Sequence, residues 1–233
     1  MTATPSPGVA ARIGARITTL RNFVLNTVFL LLLLLFAIAL IAMVSGFWLA
    51  KQLTTPQSPD LPQIQGAIVN PPRQLAVPEL VKHTGEAFTN QDLAGQWTLV
   101  FFGYTYCPDI CPISMNVLAE AKKQSPAEFP QVIFVSVDPD RDTIELLGDY
   151  VEYFDPAFIG VTGDDKMIQA LALQTSVLYM KVPGASGKEN DYLVDHSSSV
   201  LLINPAGQLA AFLKAPHTPS GIVDSVAKVK AVY

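Results

Sequence analysis

The chain has 233 residues, half of them hydrophobic, and 15 Lys and Arg against 20 Asp and Glu leave a formal charge of −5. That balance excludes a disordered chain and a nucleic-acid-coating protein, and the length fits one compact domain with a short appendage. The charge is unevenly spread: residues 1–50 hold Arg12, Arg16 and Arg21 and no acid, so residues 51–233 stand at −8.

Between Arg21 and Lys51 no residue is charged, and an unbroken apolar run from Val28 to Val44 continues through Ser45 and Gly46 to Phe47, Trp48 and Leu49. At about 1.5 Å per residue, residues 28–50 span roughly 34 Å as a helix, enough for a hydrocarbon core of about 30 Å. A cleaved signal peptide is the competing reading. Its apolar region would be shorter and would end in small residues, whereas Trp48 and Leu49 stand at this end, Trp48 as an interfacial aromatic. We therefore expect a cytoplasmic tail over residues 1–22 and a retained transmembrane anchor over 23–50. Three arginines before the helix and Lys51 just after it orient the N-terminus to the cytoplasm. The remainder then lies across the inner (cytoplasmic) membrane, on the periplasmic side of a single-pass protein.

Residues 51–78 contain Pro56, Pro59, Pro62, Pro71, Pro72 and Pro78 and no apolar period, so 51–73 is expected to be an extended stalk. Residues 74–233 read as one α/β domain. A strand near 74–82 turns at His83-Thr84-Gly85 into a short strand near 86–89. A buried strand follows at 98–104, and a helix opens near 109–112 and runs to about 123. Residues 131–137 form the next strand, 143–154 a helix, 157–161 a strand and 164–174 a helix; residues 178–182 extend again. Residues 200–203 and 208–213 make a hairpin around Asn204-Pro205-Ala206-Gly207, and 218–229 the last helix. This order predicts a thioredoxin-like α/β fold.

The two cysteines, Cys107 and Cys111, lie in Tyr104-Thr105-Tyr106-Cys107-Pro108-Asp109-Ile110-Cys111-Pro112, between a buried strand and the start of a helix. Free N–H groups and the positive helix end favour thiolate there, making the sulfur a nucleophile and a soft metal ligand. A plain structural disulfide is the bland reading, but a bridge around three residues closes too small a loop to constrain the unfolded chain strongly. His196, in Val194-Asp195-His196-Ser197, sits in a loop that approaches the first helix in such a fold. Two cysteines and a histidine suit copper or zinc, with soft thiolates favouring Cu(I). His83 and His217 read as surface or hydrogen-bonding residues. Acids alternate in Val137-Asp138-Pro139-Asp140-Arg141-Asp142-Thr143 as in a calcium loop, but Thr143 stands where that loop needs Gly and Asp149 where it needs Glu. A strand-end turn in which Asp142 or a neighbour caps the next helix is the better reading.

Three segments carry a resemblance: Phe101-Phe102-Gly103 through Pro112, Val135-Ser136-Val137 through Thr143, and Val194-Asp195-His196-Ser197. Together they resemble the Sco/SenC family over roughly residues 75–227. The resemblance implies a membrane-anchored copper-binding assembly factor for the CuA centre of cytochrome c oxidase. It also implies a thioredoxin fold with an added N-terminal hairpin, here residues 74–89, and copper, as Cu(I), Cu(II) or both, on Cys107, Cys111 and His196. The implied partners are the copper-site subunit of the oxidase and a copper donor protein. A metallochaperone of this kind is not an enzyme; the alternative is a thiol-disulfide oxidoreductase that reduces the cysteines of the oxidase subunit through Cys107 and Cys111. A thiol peroxidase or redox sensor is a third reading. Three residues between the cysteines, rather than two, and Ser197-Ser198-Ser199 where such oxidoreductases carry a cis-proline weigh against general dithiol chemistry.

Overall fold

The computed structural model describes residues 7–54, 61–184 and 191–233, and the side chains within them except at 7–15, 17–19 and 53–54. Residues 1–6 of the expected tail and 55–60 of the expected stalk lie outside the described residues. The chain divides into two units, Met1–Pro59 and Asp60–Tyr233.

The first unit is built on one helix, α1 (Pro7–Thr54), whose stretch Leu20–Gln52 is long and apolar enough to cross a membrane. Large apolar side chains from Leu20 to Leu49 are exposed. A helix that is apolar on every side is compatible with a single-pass membrane anchor.

The second unit contains β1 (Gly66–Gln74), β2 (Leu80–Lys82), β3 (Ala87–Phe88), a 3-10 turn (Asn90–Leu93), β4 (Thr98–Gly103), α2 (Ile110–Gln124), β5 (Gln131–Ser136), α3 (Ile144–Phe154), β6 (Ile159–Gly163) and α4 (Asp165–Gln174). There follow β7 (Tyr179–Pro183), β8 (Tyr192–His196), β9 (Val200–Ile203), β10 (Gln208–Leu213) and α5 (Pro219–Lys230). Eight strands form one sheet in the order β1-β10-β9-β4-β5-β6-β2-β3, and β7 and β8 form a separate two-stranded ribbon. Strands β4, β5 and β6 run parallel, joined by α2 and α3, while β9 pairs antiparallel with β4. This is the thioredoxin-like arrangement expected, with β2–β3 as the added hairpin, laid antiparallel on β6.

Every residue of β4 is buried, as a strand covered on both faces requires. Its side chains alternate. Phe101 meets Phe134 of β5, which stacks on Tyr150 of α3; Val100 and Phe102 join Ile133, Val135 and Leu171 of α4 on the other face. Helix starts are fixed by short polar caps: Thr143 accepts from the Leu146 N–H, Asp164 from Lys166 and Thr218 from Gly221. Thus α3 is capped by Thr143, a neighbour of Asp142, and Asp142 is free for another task.

Three segments differ from the sequence expectation. The strand read over 74–82 holds only as Leu80–Lys82, residues 75–79 lying outside any strand. Residues 66–73, read as the end of the stalk, form with Gln74 an edge strand on β10 whose register breaks between Ile68 and Arg73, at Asn70-Pro71-Pro72. Proline lacks the N–H a central strand needs but is tolerated on an edge, so proline content alone could not separate stalk from strand. Residues 194–197, read as a loop, mostly belong to β8, with His196 as its last residue opposite Tyr179.

Candidate metal centre

The site lies where the parallel strands β4 and β5 end, beside the start of α2. The turn before α2 is held by the Cys107 N–H donating to the Tyr104 carbonyl at 3.2 Å. Asp109 is the N-cap residue by position, yet its side chain makes no capping hydrogen bond. The backbone N–H groups of Asp109 and Cys111 there favour the thiolate of Cys107. Pro112, in the first turn of the helix, has no N–H to leave unsatisfied.

Both cysteines are free, Cys107 half-buried and Cys111 buried. A hydrogen bond from the Cys111 thiol, together with the backbone N–H groups of Asp109 and Cys111, pulls the Cys107 pKa down to about 4 against the opposing effect of burial. The Cys111 thiol moves up, because it holds the proton shared with Cys107 and is itself buried. One thiolate and one thiol, sharing a proton, describe the pair at neutral pH.

His196 reaches the same point from a different direction. Its Nε2 is 3.2 Å from Cys111 Sγ and its Nδ1 is 3.1 Å from the Ser197 carbonyl oxygen. A carbonyl only accepts, so Nδ1 carries the proton and Nε2 turns its lone pair toward the sulfurs, the orientation metal-bound imidazoles take from an outer partner. The ring stands edge-on to Phe101 and Tyr104, at 5.9 and 6.0 Å between centroids. The ligand atoms of Cys107, Cys111 and His196 all lie within 4.8 Å of one another. Two sulfurs and one imidazole nitrogen, presented with their lone pairs converging, fit a soft ion such as Cu(I).

The sequence reading missed the role of Gly103. A Cβ there would fall 2.8 Å from Cys111 Sγ and 2.8 Å from Phe134 Cε2, so the end of β4 must be bare for Cys111 to pack against it. A glycine closing an otherwise apolar strand just before the cysteine loop was the available signal. His83 and His217 take hydrogen-bonding places away from the three ligand atoms: His83 Nδ1 accepts from the Gly160 N–H and His217 Nε2 donates to the Ser198 carbonyl. The acids of the calcium-like run are bound to protein groups: Asp138 to Arg141, Asp140 to Lys181 and Asp142 to Ser136 and Thr105.

The SCO1/SenC family model matches residues 75–231, which include Cys107, Cys111 and His196. The chain belongs to the SCO1/SenC family. This SCO1/SenC chain is 36% identical over 169 residues to the human mitochondrial protein SCO2 homolog, covering 69% of this chain and 63% of that one. It is 36% identical over 156 residues to a putative copper-binding protein of Stutzerimonas stutzeri, covering 65% of this chain and 75% of that one. The crystal structure of Arabidopsis thaliana ScoI with copper bound superposes with a TM-score of 0.61 at 35% identity, covering 72% of this chain and 99% of that one. The matched region spans less than two thirds of the human relative's length.

Proposed function

We propose that this protein is a membrane-anchored copper metallochaperone. Copper is its cargo, held by Cys107, Cys111 and His196 and passed to the CuA site of a cytochrome c oxidase subunit on the same side of the membrane. The observation that carries the reading is the convergence of the three ligand atoms within 4.8 Å, with Nε2 of His196 left free by the bond of Nδ1 to Ser197. The copper-bound Arabidopsis relative and the putative copper-binding relative support the choice of ion. The oxidase as destination rests on the family resemblance. Residues 23–50 would hold the protein in the inner membrane, residues 1–22 staying in the cytoplasm, and the domain from about residue 74 would face the periplasm, an orientation favoured by Arg12, Arg16 and Arg21 before the span.

In this reading the low-pKa sulfur of Cys107 is a ligand before copper arrives, and Cys111 gives up its proton on binding. Cys107 is half-buried and Cys111 is the buried floor of the site. The test uses the full chain in detergent, reduced and oxidised. Reduced protein should take up one copper per chain and oxidised protein none, and Cys107→Ala or Cys111→Ala should each lose nearly all tight binding. Equal uptake by the oxidised and reduced forms would overturn the proposal.

The same cysteines support a second reading, because a half-exposed thiolate beside a buried thiol is also a reducing dithiol. Cys107 would attack a disulfide of the oxidase subunit and release one of its thiolates. Cys111, deprotonated, would then displace Cys107's new partner and free the second, leaving Cys107–Cys111 oxidised and the target reduced by two electrons. His196 is dispensable for that chemistry and needed for Cu(II).

A further inference from the structure

His196 is delivered by a ribbon that the main sheet does not hold. Strands β7 and β8 pair with each other and not with the eight-stranded sheet. A two-stranded ribbon is marginal alone, so the position of His196 depends on side chains that tie the ribbon down. His217, bonded to Ser198, fixes its exit toward β9. Tyr179, opposite His196, donates its hydroxyl to Asp165 of α4 at 2.9 Å and Val194 is buried in the core, while Tyr192 and Lys181 meet residues 138–142, the loop after β5.

That loop grips both halves of the site. Asp138 is fully buried; it accepts from the Tyr192 hydroxyl at 2.7 Å through Oδ1 and from Arg141 Nε through Oδ2. Arg141 also donates Nη1–H to the Tyr192 carbonyl at 3.0 Å. Its guanidinium lies 3.7 Å from the centroid of the Tyr192 ring, 5.0 Å from that of Tyr106 and 5.7 Å from that of Tyr104. One cation is thus packed against the aromatic faces of the ribbon and of the cysteine loop together, and its buried Nη2 makes no hydrogen bond. Asp140 pairs with Lys181 of β7 at 2.6 Å. On the other side, Asp142 accepts from the Thr105 hydroxyl at 2.6 Å and from the Thr105 N–H at 3.1 Å, two residues before Cys107.

We propose that residues 138–142 are a brace that sets the spacing between the thiolates and the imidazole, with Arg141, Asp138 and Tyr192 as positioning residues for His196 and Asp142 for the cysteine loop. The acids therefore serve to align a metal site without ligating in it. The arrangement explains why Arg is at 141: a lysine has neither the planar face that stacks on tyrosine nor the fork that serves Asp138 and the Tyr192 carbonyl at once. The proposal rests on the copper reading for its purpose, though its geometry does not require copper.

The test uses the reduced full chain in detergent with Arg141→Lys, Tyr192→Phe and Tyr192→Ala. Without copper, amide hydrogen exchange over residues 179–183 and 192–196 should speed up in Arg141→Lys and Tyr192→Ala, while β4 and β5 exchange as in the wild type. With Cu(II), the affinity of both variants should fall about 10- to 100-fold, the range typical for partners that orient ligands. The nitrogen hyperfine signal of imidazole in the electron paramagnetic resonance spectrum should weaken, and Cu(I) uptake should fall less. Tyr192→Phe keeps the ring for Arg141 and should show a smaller version of the same change. Wild-type exchange in the ribbon and a wild-type Cu(II) spectrum in both Arg141→Lys and Tyr192→Ala would overturn the brace. If Arg141→Lys fails to fold by circular dichroism, the two Tyr192 variants decide. If the wild type takes up no copper, the copper reading fails, and ribbon exchange alone decides whether the brace exists.

Discussion

The cysteine loop and the histidine ribbon bring ligands to one point by opposite means. Cys107 and Cys111 are four residues apart at the start of α2, and their placement is local: a turn closed by Tyr104, the free N–H groups of a helix start, and a bare Gly103 beneath. His196 arrives from 85 residues further along, on a ribbon outside the main sheet, oriented by its own neighbour Ser197 and anchored through Tyr192 and Lys181. The negative charge of Cys107 is stabilised from within the same loop, first by the Cys111 thiol and then by the N–H groups of the helix start. The ribbon contributes geometry alone. In the copper reading such a division means that the thiolates would bind soft copper whatever the ribbon does, and the imidazole would add the donor that Cu(II) requires.

Removing the ribbon's ligand gives the largest separation between the two halves. His196→Ala should abolish most Cu(II) binding and its thiolate-to-copper absorption, lower Cu(I) affinity moderately, and leave thiol-disulfide exchange intact. Competition titrations with chelators for each oxidation state measure this. Wild-type affinity for both states would remove His196 from the ligand set and shift the function toward the dithiol reading.

A smaller effect is expected from the floor of the cysteine loop. Gly103→Ala adds a methyl 2.8 Å from Cys111 Sγ and from the Phe134 ring, and the neighbours cannot yield without moving the buried sulfur. Overpacking of this kind costs about 1–3 kcal/mol, readable in denaturant unfolding, and should weaken Cu(I) as well as Cu(II) binding. Unchanged Cu(I) affinity would mean that the loop tolerates displacement of Cys111 and is less rigidly local than the comparison holds.

The mildest probe alters only pH. With its pKa near 4, Cys107 in the reduced, copper-free protein is thiolate throughout the neutral range. Alkylation by iodoacetamide should therefore be nearly constant from about pH 6 to 8 and slow only as pH falls through about 4. An ordinary thiol, with a pKa of about 8.5, would instead react close to tenfold faster per unit over that range. A profile of the ordinary kind would show that the Cys111 thiol and the helix start do not hold Cys107 as thiolate.

The sequence by itself determined what short-range rules control. The apolar run of α1, the helix and strand order from β4 to β7, the hairpin around Asn204 to Gly207 and the cysteines at a helix start were all legible, since period, capping residues and turn residues act over a few positions. It also supplied the three ligand types, and with them the resemblance to the Sco/SenC family. Tertiary structure decided the rest. Proline-rich Gly66–Gln74 became a strand because β10 offered it an edge, which no local pattern announces. His196 became the end of a strand because Tyr179 lies opposite. The acids from Asp138 to Asp142 looked like half a calcium loop, and only the approach of Thr105, Lys181 and Tyr192 turned each toward a protein partner. A carboxylate's sequence neighbours fix where it starts, but its function follows from which donor the fold brings within about 3 Å of it.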